Sequence, residues 1–189
     1  MGRNQTLCED TDRLLLGKVV ACDTEAIRKL YFLYHRRLVR FLMRFTRHKE
    51  LAEEVINDTF WVVWRNAGEF RGDSRVSTWI MGIAYRAALK KLRGTRRHSL
   101  DAVPIENEPL PGPDELDTME TREWIRRAMQ RLPIDQRRVL ELAYGHGHSC
   151  EEIARIVDCP VNTVKARMFL ARSKLRVLLP KLAGTGRAS

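Results

Sequence analysis

The chain has 189 residues, 44% of them hydrophobic, with 34 Lys and Arg against 24 Asp and Glu, giving a formal net charge of +10 and a pI near 9.9. That length suits one or two small domains, and the basic balance favours a phosphate-rich partner, because a polyanion backbone attracts Lys and Arg whatever its sequence. No apolar run approaches the ~20 residues of a membrane span and the opening MGRNQTLCED lacks a signal-peptide core, so no direct membrane insertion is expected and the default location is cytoplasmic.

The charge is unevenly spread. Residues 101–120, DAVPIENEPLPGPDELDTME, hold seven acidic side chains, no Lys or Arg, and four of the seven prolines. The blocks around them are basic, with 20 Lys/Arg against 11 Asp/Glu over residues 1–100 and 14 against 6 over residues 121–189. An acidic, Pro-rich stretch between basic blocks reads as a spacer joining two polyanion-facing units, itself repelled by nucleic acid. The expected organisation is an N-terminal extension at 1–23, a helical domain at 24–97, a linker at 98–120, a second helical domain at 121–180 and a flexible tail at 181–189.

In the first block the helical period dominates. Ile27, Leu30, Tyr31, Tyr34, Leu38, Phe41, Leu42 and Phe45 predict a helix over 24–46 capped by Asp23. A second helix over 49–65 buries Leu51, Val55, Ile56, Thr59 and Val63, with Phe60, Trp61 and Trp64 on its flanks. Glu50, Glu53, Glu54 and Asp58 make its outer side acidic, which serves either the helix dipole or a docking surface.

The segment NAGEFRGDSR at 66–75 is punctuated by Gly68 and Gly72, and Asp73 or Ser74 is placed to cap a third helix over 75–93. That helix turns Val76, Ile80, Ile83, Ala84 and Ala87 inward. Its other side carries Arg86, Lys90, Arg93 and Arg97. Like charges along one helical face oppose each other, and a bound phosphate backbone would offset the repulsion. Phe70, Trp79 and Tyr85 lie beside this stripe; they are either core residues or platforms on which extruded bases stack. Aromatics among Arg and Lys suit melted DNA better than intact duplex.

After the spacer, a helix over 115–131 contributes Leu116, Trp124, Ile125 and Ala128, and Pro133 fits the first turn of the next. Val139, Leu140, Leu142 and Ala143 line that helix, which ends near the Gly145–Gly147 turn. Ser149 and Glu152 match a capping box opening a short helix with Ile153, Ala154, Ile156 and Val157 apolar. Asp158–Cys159–Pro160 makes a tight turn. A longer helix follows, burying Val161, Val164, Met168, Ala171, Leu175 and Leu178.

Short helix, turn and longer helix form a helix-turn-helix, whose second helix enters the major groove. At ~100° per residue, Asn162, Ala166, Phe169 and Ser173 point away from the apolar stripe, with Lys165, Arg172 and Arg176 on one shoulder and Arg167 on the other. Asn162 and Lys165 are placed to read base edges, Phe169 to meet a thymine methyl or a sugar, and the Arg side chains to position phosphates.

Cys8, Cys22, Cys150 and Cys159 form no close CxxC pair. Cys150 and Cys159 near His146 and His148 raise a zinc or redox site as an alternative, but scattered core thiols are the commoner arrangement in a reducing compartment. No cofactor and no metal are expected.

Both blocks together resemble an extracytoplasmic-function sigma factor, a minimal member of the sigma-70 family, over residues 24–180. AEEVINDTFWVVWRNAGEFRGDSRVSTWIMGIAYRAALKKLR is similar to region 2, and LPIDQRRVLELAYGHGHSCEEIARIVDCPVNTVKARMFLARSKL to region 4. The resemblance implies an all-α fold of two small helical domains joined by the acidic linker, a helix-turn-helix in the second, and no enzymatic activity. It implies a transcription initiation factor that directs core RNA polymerase to promoters and assists melting.

Its implied partners are core RNA polymerase, through the β′ clamp helices and the β flap, promoter DNA, and an anti-sigma factor. The polymerase-docking positions are Glu54, Asn57, Asp58, Phe60 and Trp61. The −10 element falls to Phe70, Arg71, Gly72, Asp73, Ser74, Trp79, Arg86, Lys90 and Arg93, with residues 70–74 forming the loop that receives a flipped base. The −35 element falls to Asn162, Lys165, Ala166, Arg167, Phe169, Arg172 and Arg176. The linker would thread toward the RNA exit path.

Four positions depart from the common pattern: Asn162 stands where many relatives have Gly, Leu170 where many have a basic residue, and Trp61 and Trp64 enlarge the surface near the docking site. The alternative is a conventional helix-turn-helix regulator with an N-terminal sensor domain, distinguished by duplex operator binding without polymerase. A helical protein-interaction module with an incidentally basic surface is the second alternative.

Overall fold

The first 23 residues, expected as an extension, turn out to contain a helix that belongs to the first unit's core. In a computed structural model the backbone is described for residues 2–43, 48–98 and 124–185, and side chains for 9–43, 48–93 and 124–180. Phe45, Leu116, the acidic linker and the side chains of Cys8 and Arg97 lie outside the described residues. So does all but the helical backbone of the C-terminal tail.

Every regular element described is helical. The chain divides into two compact units. The first holds α1 (Gly2–Val20), α2 (Thr24–Leu42), α3 (Lys49–Asn66) and α4 (Val76–His98); the second holds α5 (124–130), α6 (Ile134–Leu140), α7 (Cys150–Val157) and α8 (Val161–Thr185). No described helix is long and apolar enough to cross a membrane.

Helix α1 packs on α2 and α4, burying Leu15, Leu16 and Val19. One turn before them Asp12 is only 2% exposed and accepts a hydrogen bond from the Tyr34 hydroxyl of α2. The spacing of these four residues is helical, but Leu14 at 63% exposure interrupts the apolar stripe and Asp12 disguises it. The helix closes as a Schellman turn: Asp23 N–H donates to the Lys18 carbonyl at 3.0 Å and Cys22 N–H to the Val19 carbonyl at 2.9 Å, with Cys22 in the left-handed region at φ 62°.

Asp23 then caps α2 as expected, accepting from the Glu25 and Ala26 N–H groups at 2.9 and 3.1 Å. Leu30, Leu38, Phe41 and Leu42 of α2 meet Val55, Ile56 and Val63 of α3 and Ile80 and Met81 of α4 with no exposed surface. Along α3 the inward position falls on Ala52 rather than Leu51, which is half-buried. Along α4 it falls on Ala88, while Ala87 is half-buried.

In the second unit Leu132, Leu140 and Ala171 form a core with Met129 and Leu175 against it. Ile153, Ile156 and Val164 are also fully buried. Ala128 is the inward residue of α5, whereas Ile125, expected inside, is 47% exposed. Pro133 sits one position before α6, as its cap in extended geometry (ψ 144°). Helix α6 runs on through a π-helical turn at Glu141–Gly145 before the chain reverses at Gly147, whose φ of +70° favours glycine. Helix α8 extends its backbone into the expected tail, past an internal Pro180.

Burial raises the Asp12 carboxyl above its ordinary 3.8, and the Tyr34 hydrogen bond and the Arg37 charge only partly oppose this. A raised native value means stability that is present below pH 3.8 and is lost as pH rises through the native value. Asp12→Asn keeps an acceptor for Tyr34 and removes that loss. Denaturant titrations across pH should find the variant at least as stable as the wild type at neutral pH. The difference should shrink toward pH 3.8.

Candidate nucleic-acid interface

The outer face of α3 is acidic but not free. Glu54 and Asp58 lie one turn apart, and Lys91 of α4 bridges them at 2.8 and 3.0 Å. The hydrogen bond to Glu54, above all, raises the Lys91 ammonium above its usual value. The sequence shows the acids but not this partner, since Lys91 directly follows Lys90 and reads as one more member of the basic stripe. Asn57 is exposed and Trp61 is 62% exposed on the same helix. Phe60 is different: it is buried, its ring 5.0 Å from that of Tyr31. Its place is in the α2–α3 packing, beneath the surface on which its neighbours stand.

Between α3 and α4, a single 3-10 turn at Ala67–Glu69 leads into the loop at 70–75. Phe70 and Trp79 are half-buried and pack on each other at 5.3 Å between centroids. Arg71 and Asp73 are exposed. Gly72 adopts φ +76°, where a side chain is strained, and a Cβ there would lie 3.5 Å from Arg13 Nη1 of α1. Beyond the loop, Arg86, Lys90 and Arg93 are exposed along α4, while Tyr85 is buried in the core.

The first N–H of α4 has a partner that the sequence reading did not include. The Ser74 hydroxyl donates to the Arg75 carbonyl at 3.3 Å. The Val76 N–H donates to Glu9 Oε1 of α1 at 3.0 Å, a partner 67 residues away in sequence. The same oxygen accepts from Arg13 Nε at 3.1 Å.

The helix-turn-helix is built as its sequence specifies. The capping box at α7 is complete, with Glu152 N–H donating to Ser149 Oγ at 3.2 Å and Ser149 N–H to Glu152 Oε2 at 2.8 Å. Asp158 ends α7 in the left-handed region (φ 54°, ψ 60°), and the Thr163 and Val164 N–H groups donate to the Pro160 carbonyl as α8 begins. Val164, Met168 and Ala171 face inward. Asn162, Lys165, Ala166, Phe169, Arg172, Ser173 and Arg176 are exposed, Phe169 to 66%.

Arg167 departs from that set. It is half-buried and turns toward α6 and the turn, donating to Asp135 Oδ2 at 3.2 Å and approaching Cys159 Sγ at 3.8 Å. Cys150 Sγ lies 3.7 Å from Met168 Sδ. Among the described residues, no group of three or more His, Cys, Asp and Glu side chains is placed to hold a metal.

A second unit that exposes the polar and basic face of a helix-turn-helix, and a first unit with a basic helix beside an aromatic loop, fit a DNA-binding protein. The sequence matches the Sigma-70 region 2 family over residues 30–98 and the Sigma-70 region 4 family over residues 122–175. It is 34% identical over 171 residues to the ECF RNA polymerase sigma factor SigM of Mycobacterium tuberculosis, covering 90% of this chain and 86% of that one. It is 31% identical over 188 residues to the RNA polymerase sigma-H factor of Pseudomonas aeruginosa, covering 93% and 97%.

Two solved structures are similar in fold. CnrH in complex with the cytosolic domain of CnrY aligns with a TM-score of 0.64 at 22% identity over 90% of this chain and 98% of that one. The sigma factor RpoE in complex with the anti-sigma factor NepR from Bartonella quintana aligns with a TM-score of 0.64 at 25% identity over 81% and 96%.

The chain belongs to the ECF sigma factors of the sigma-70 family. It is a non-catalytic initiation factor that directs RNA polymerase to promoters, and phosphodiester synthesis is the polymerase's own chemistry. This decides against a conventional operator-binding regulator and against an interaction module with incidental charge.

The two arginines of α8 should separate in mutants. Arg167→Ala should lower the unfolding stability of the protein by roughly 0.5–1 kcal/mol, the range of a partly exposed ion pair, with little change in the salt dependence of DNA binding. Arg172→Ala should leave the melting temperature in place and reduce the salt slope of promoter binding by about one.

Proposed function

We propose that promoter recognition is divided among three surfaces: α3 docks on the clamp helices of the polymerase β′ subunit, loop 70–74 and the basic face of α4 take unpaired −10 DNA, and α8 reads the −35 element in duplex. The opposed faces of α8 carry this reading, with Val164, Met168 and Ala171 inside and Asn162, Lys165, Ala166, Phe169, Arg172 and Arg176 outside. Phe169 faces outward and is 66% exposed, and contact with a thymine methyl or a sugar accounts for it. The second unit meets the β flap, so the two units hold one polymerase at a two-part promoter.

In the first unit the base-receiving role falls to the loop because Phe70 and Trp79 form a half-buried aromatic pair beside exposed Arg71 and Asp73, with Arg86, Lys90 and Arg93 exposed further along α4. A stacked base contributes ~1–3 kcal/mol and only when unpaired. Binding of this kind moves the closed–open equilibrium by its differential affinity for the open form. Docking on β′ falls to Glu54, Asn57, Asp58 and Trp61, while Phe60 supports that surface from beneath. Lys91 holds the two acids until a polymerase cation competes for them, and an exposed pair of this type is weak enough to exchange.

An anti-sigma factor is the remaining partner, as in the solved complex of RpoE with the anti-sigma factor NepR, and it would act by covering the same surfaces. The acidic linker, threading toward the RNA exit path, would keep the two readers on one polymerase without competing for DNA.

Transcription in vitro with core polymerase tests the division of labour. Asp58→Arg should weaken association with core polymerase by tenfold or more, about 1.4 kcal/mol, with helicity unchanged. Exchanging Lys165 or Phe169 should alter preference at −35 while preference at −10 stays as in the wild type. Equal changes at both elements would defeat the assignment.

A further inference from the structure

We infer that Glu9 is a positioning residue for the base-receiving loop: from α1 it fixes the junction at which loop 70–75 becomes α4, and so presets the loop for the unpaired base. The inference rests on the proposed role of that loop. The first turn of a helix has N–H groups with no intrahelical acceptor, and a side chain just before the helix normally supplies one. Here the Ser74 hydroxyl donates to the Arg75 carbonyl, and the acceptor for Val76 N–H is Glu9 Oε1, carried by a helix 67 residues away in sequence.

The same carboxylate holds Arg13 Nε at 3.1 Å, and Arg13 reaches back over Gly72, the loop residue with φ +76°. The middle of the loop, at Gly72, and its junction with α4, at Val76, are thus both referred to α1. The helix itself cannot drift, because Leu15, Leu16 and Val19 are buried and the Asp12–Tyr34 hydrogen bond ties it to α2. Glu9 has a side-chain exposure of only 15%, so it is held between α1 and the loop and is not a solvated charge.

A loop that receives a flipped base must be in place before the base arrives, or ordering it diminishes the affinity gained. Loss of the Glu9 contact therefore acts on base capture, leaving duplex reading by α8 and docking by α3 untouched.

The test uses holoenzyme made with the full chain and a promoter selected from random DNA by the wild-type holoenzyme. Two single-stranded −10 probes are compared, one intact and one abasic at each position in turn. Wild type should bind the intact probe about tenfold or more tighter than the abasic probe at one position, within the range of base stacking. Glu9→Ala should bring that ratio close to one. Its affinity for a −35 duplex and for core polymerase should stay within about twofold, and the circular dichroism should match wild type.

Glu9→Gln keeps an oxygen for Val76 N–H and should retain most of the ratio. Full retention of the ratio in Glu9→Ala would overturn the inference alone. Equal loss in Glu9→Ala and Glu9→Gln would overturn the cap as the cause and transfer the role to the charge pair with Arg13. A wild type with no abasic effect at any position would reject the loop as a base receptor, and the role of Glu9 with it.

Discussion

The backbone at the start of α4 has a donor that its own loop leaves unsatisfied, and much of the first unit's arrangement follows from how that donor is met. A local Ser or Asp cap would have fixed only the loop. The Glu9 carboxylate fixes the loop relative to α1, and α1 relative to α2 through Asp12 and Tyr34. A long-range cap of this type contributes about as much as any other charge-assisted hydrogen bond to a backbone N–H, ~1–2 kcal/mol. Its effect on geometry is larger than its effect on stability, since it joins three elements at the segment where the unit meets DNA.

The charges are best understood by asking which are already engaged inside the protein. Arg167 and Arg172 are five residues apart in one helix, yet Arg167 is turned to Asp135 while Arg172 remains exposed beside Phe169. Lys90 and Lys91 are adjacent, yet Lys90 stands on the open face of α4 and Lys91 closes the α3–α4 interface onto Glu54 and Asp58. A net charge of +10 describes the long-range field that draws the chain toward a polyanion. It does not say which cations reach the phosphates, because that depends on which ones have carboxylate partners.

The helix-turn-helix was the most legible part of the sequence. Its determinants are local: a capping box four residues long, a turn of three, and an apolar repeat at helical spacing. Each of these appears in the structure where the residues predict it. The two-unit, all-α organisation was legible for the same reason. The role of α1 was not, because its inward face mixes one acid with three aliphatics and is interrupted by an exposed Leu14. Nor was the cap of α4, since local reasoning favours the nearest Asp or Ser over a Glu many helical turns away in sequence. Ile125 and Phe60 changed places with expectation for a related reason: periodicity gives the angle around a helix axis, but the neighbouring helix decides how wide the buried sector is.

That distinction bears on how the chain divides its aromatic residues. Phe60 and Phe169 each stand beside acidic or basic residues in a helical run, and the family resemblance implies a partner contact for both. Phe60 meets Tyr31 of the neighbouring helix and contributes apolar burial to the fold, an effect of about 1.5–3 kcal/mol for a side chain of that size. Phe169 is covered by no other helix among the described residues and stays 66% exposed. Removing Phe60 therefore perturbs the platform on which Asn57, Asp58 and Trp61 are displayed, and any loss of docking it produces is transmitted through packing. Removing Phe169 leaves the packing of Val164, Met168 and Ala171 intact, so a loss of recognition there belongs to the contact itself. The same residue type thus separates fold from recognition in the two units, and the distinction comes from which side of each helix another helix covers.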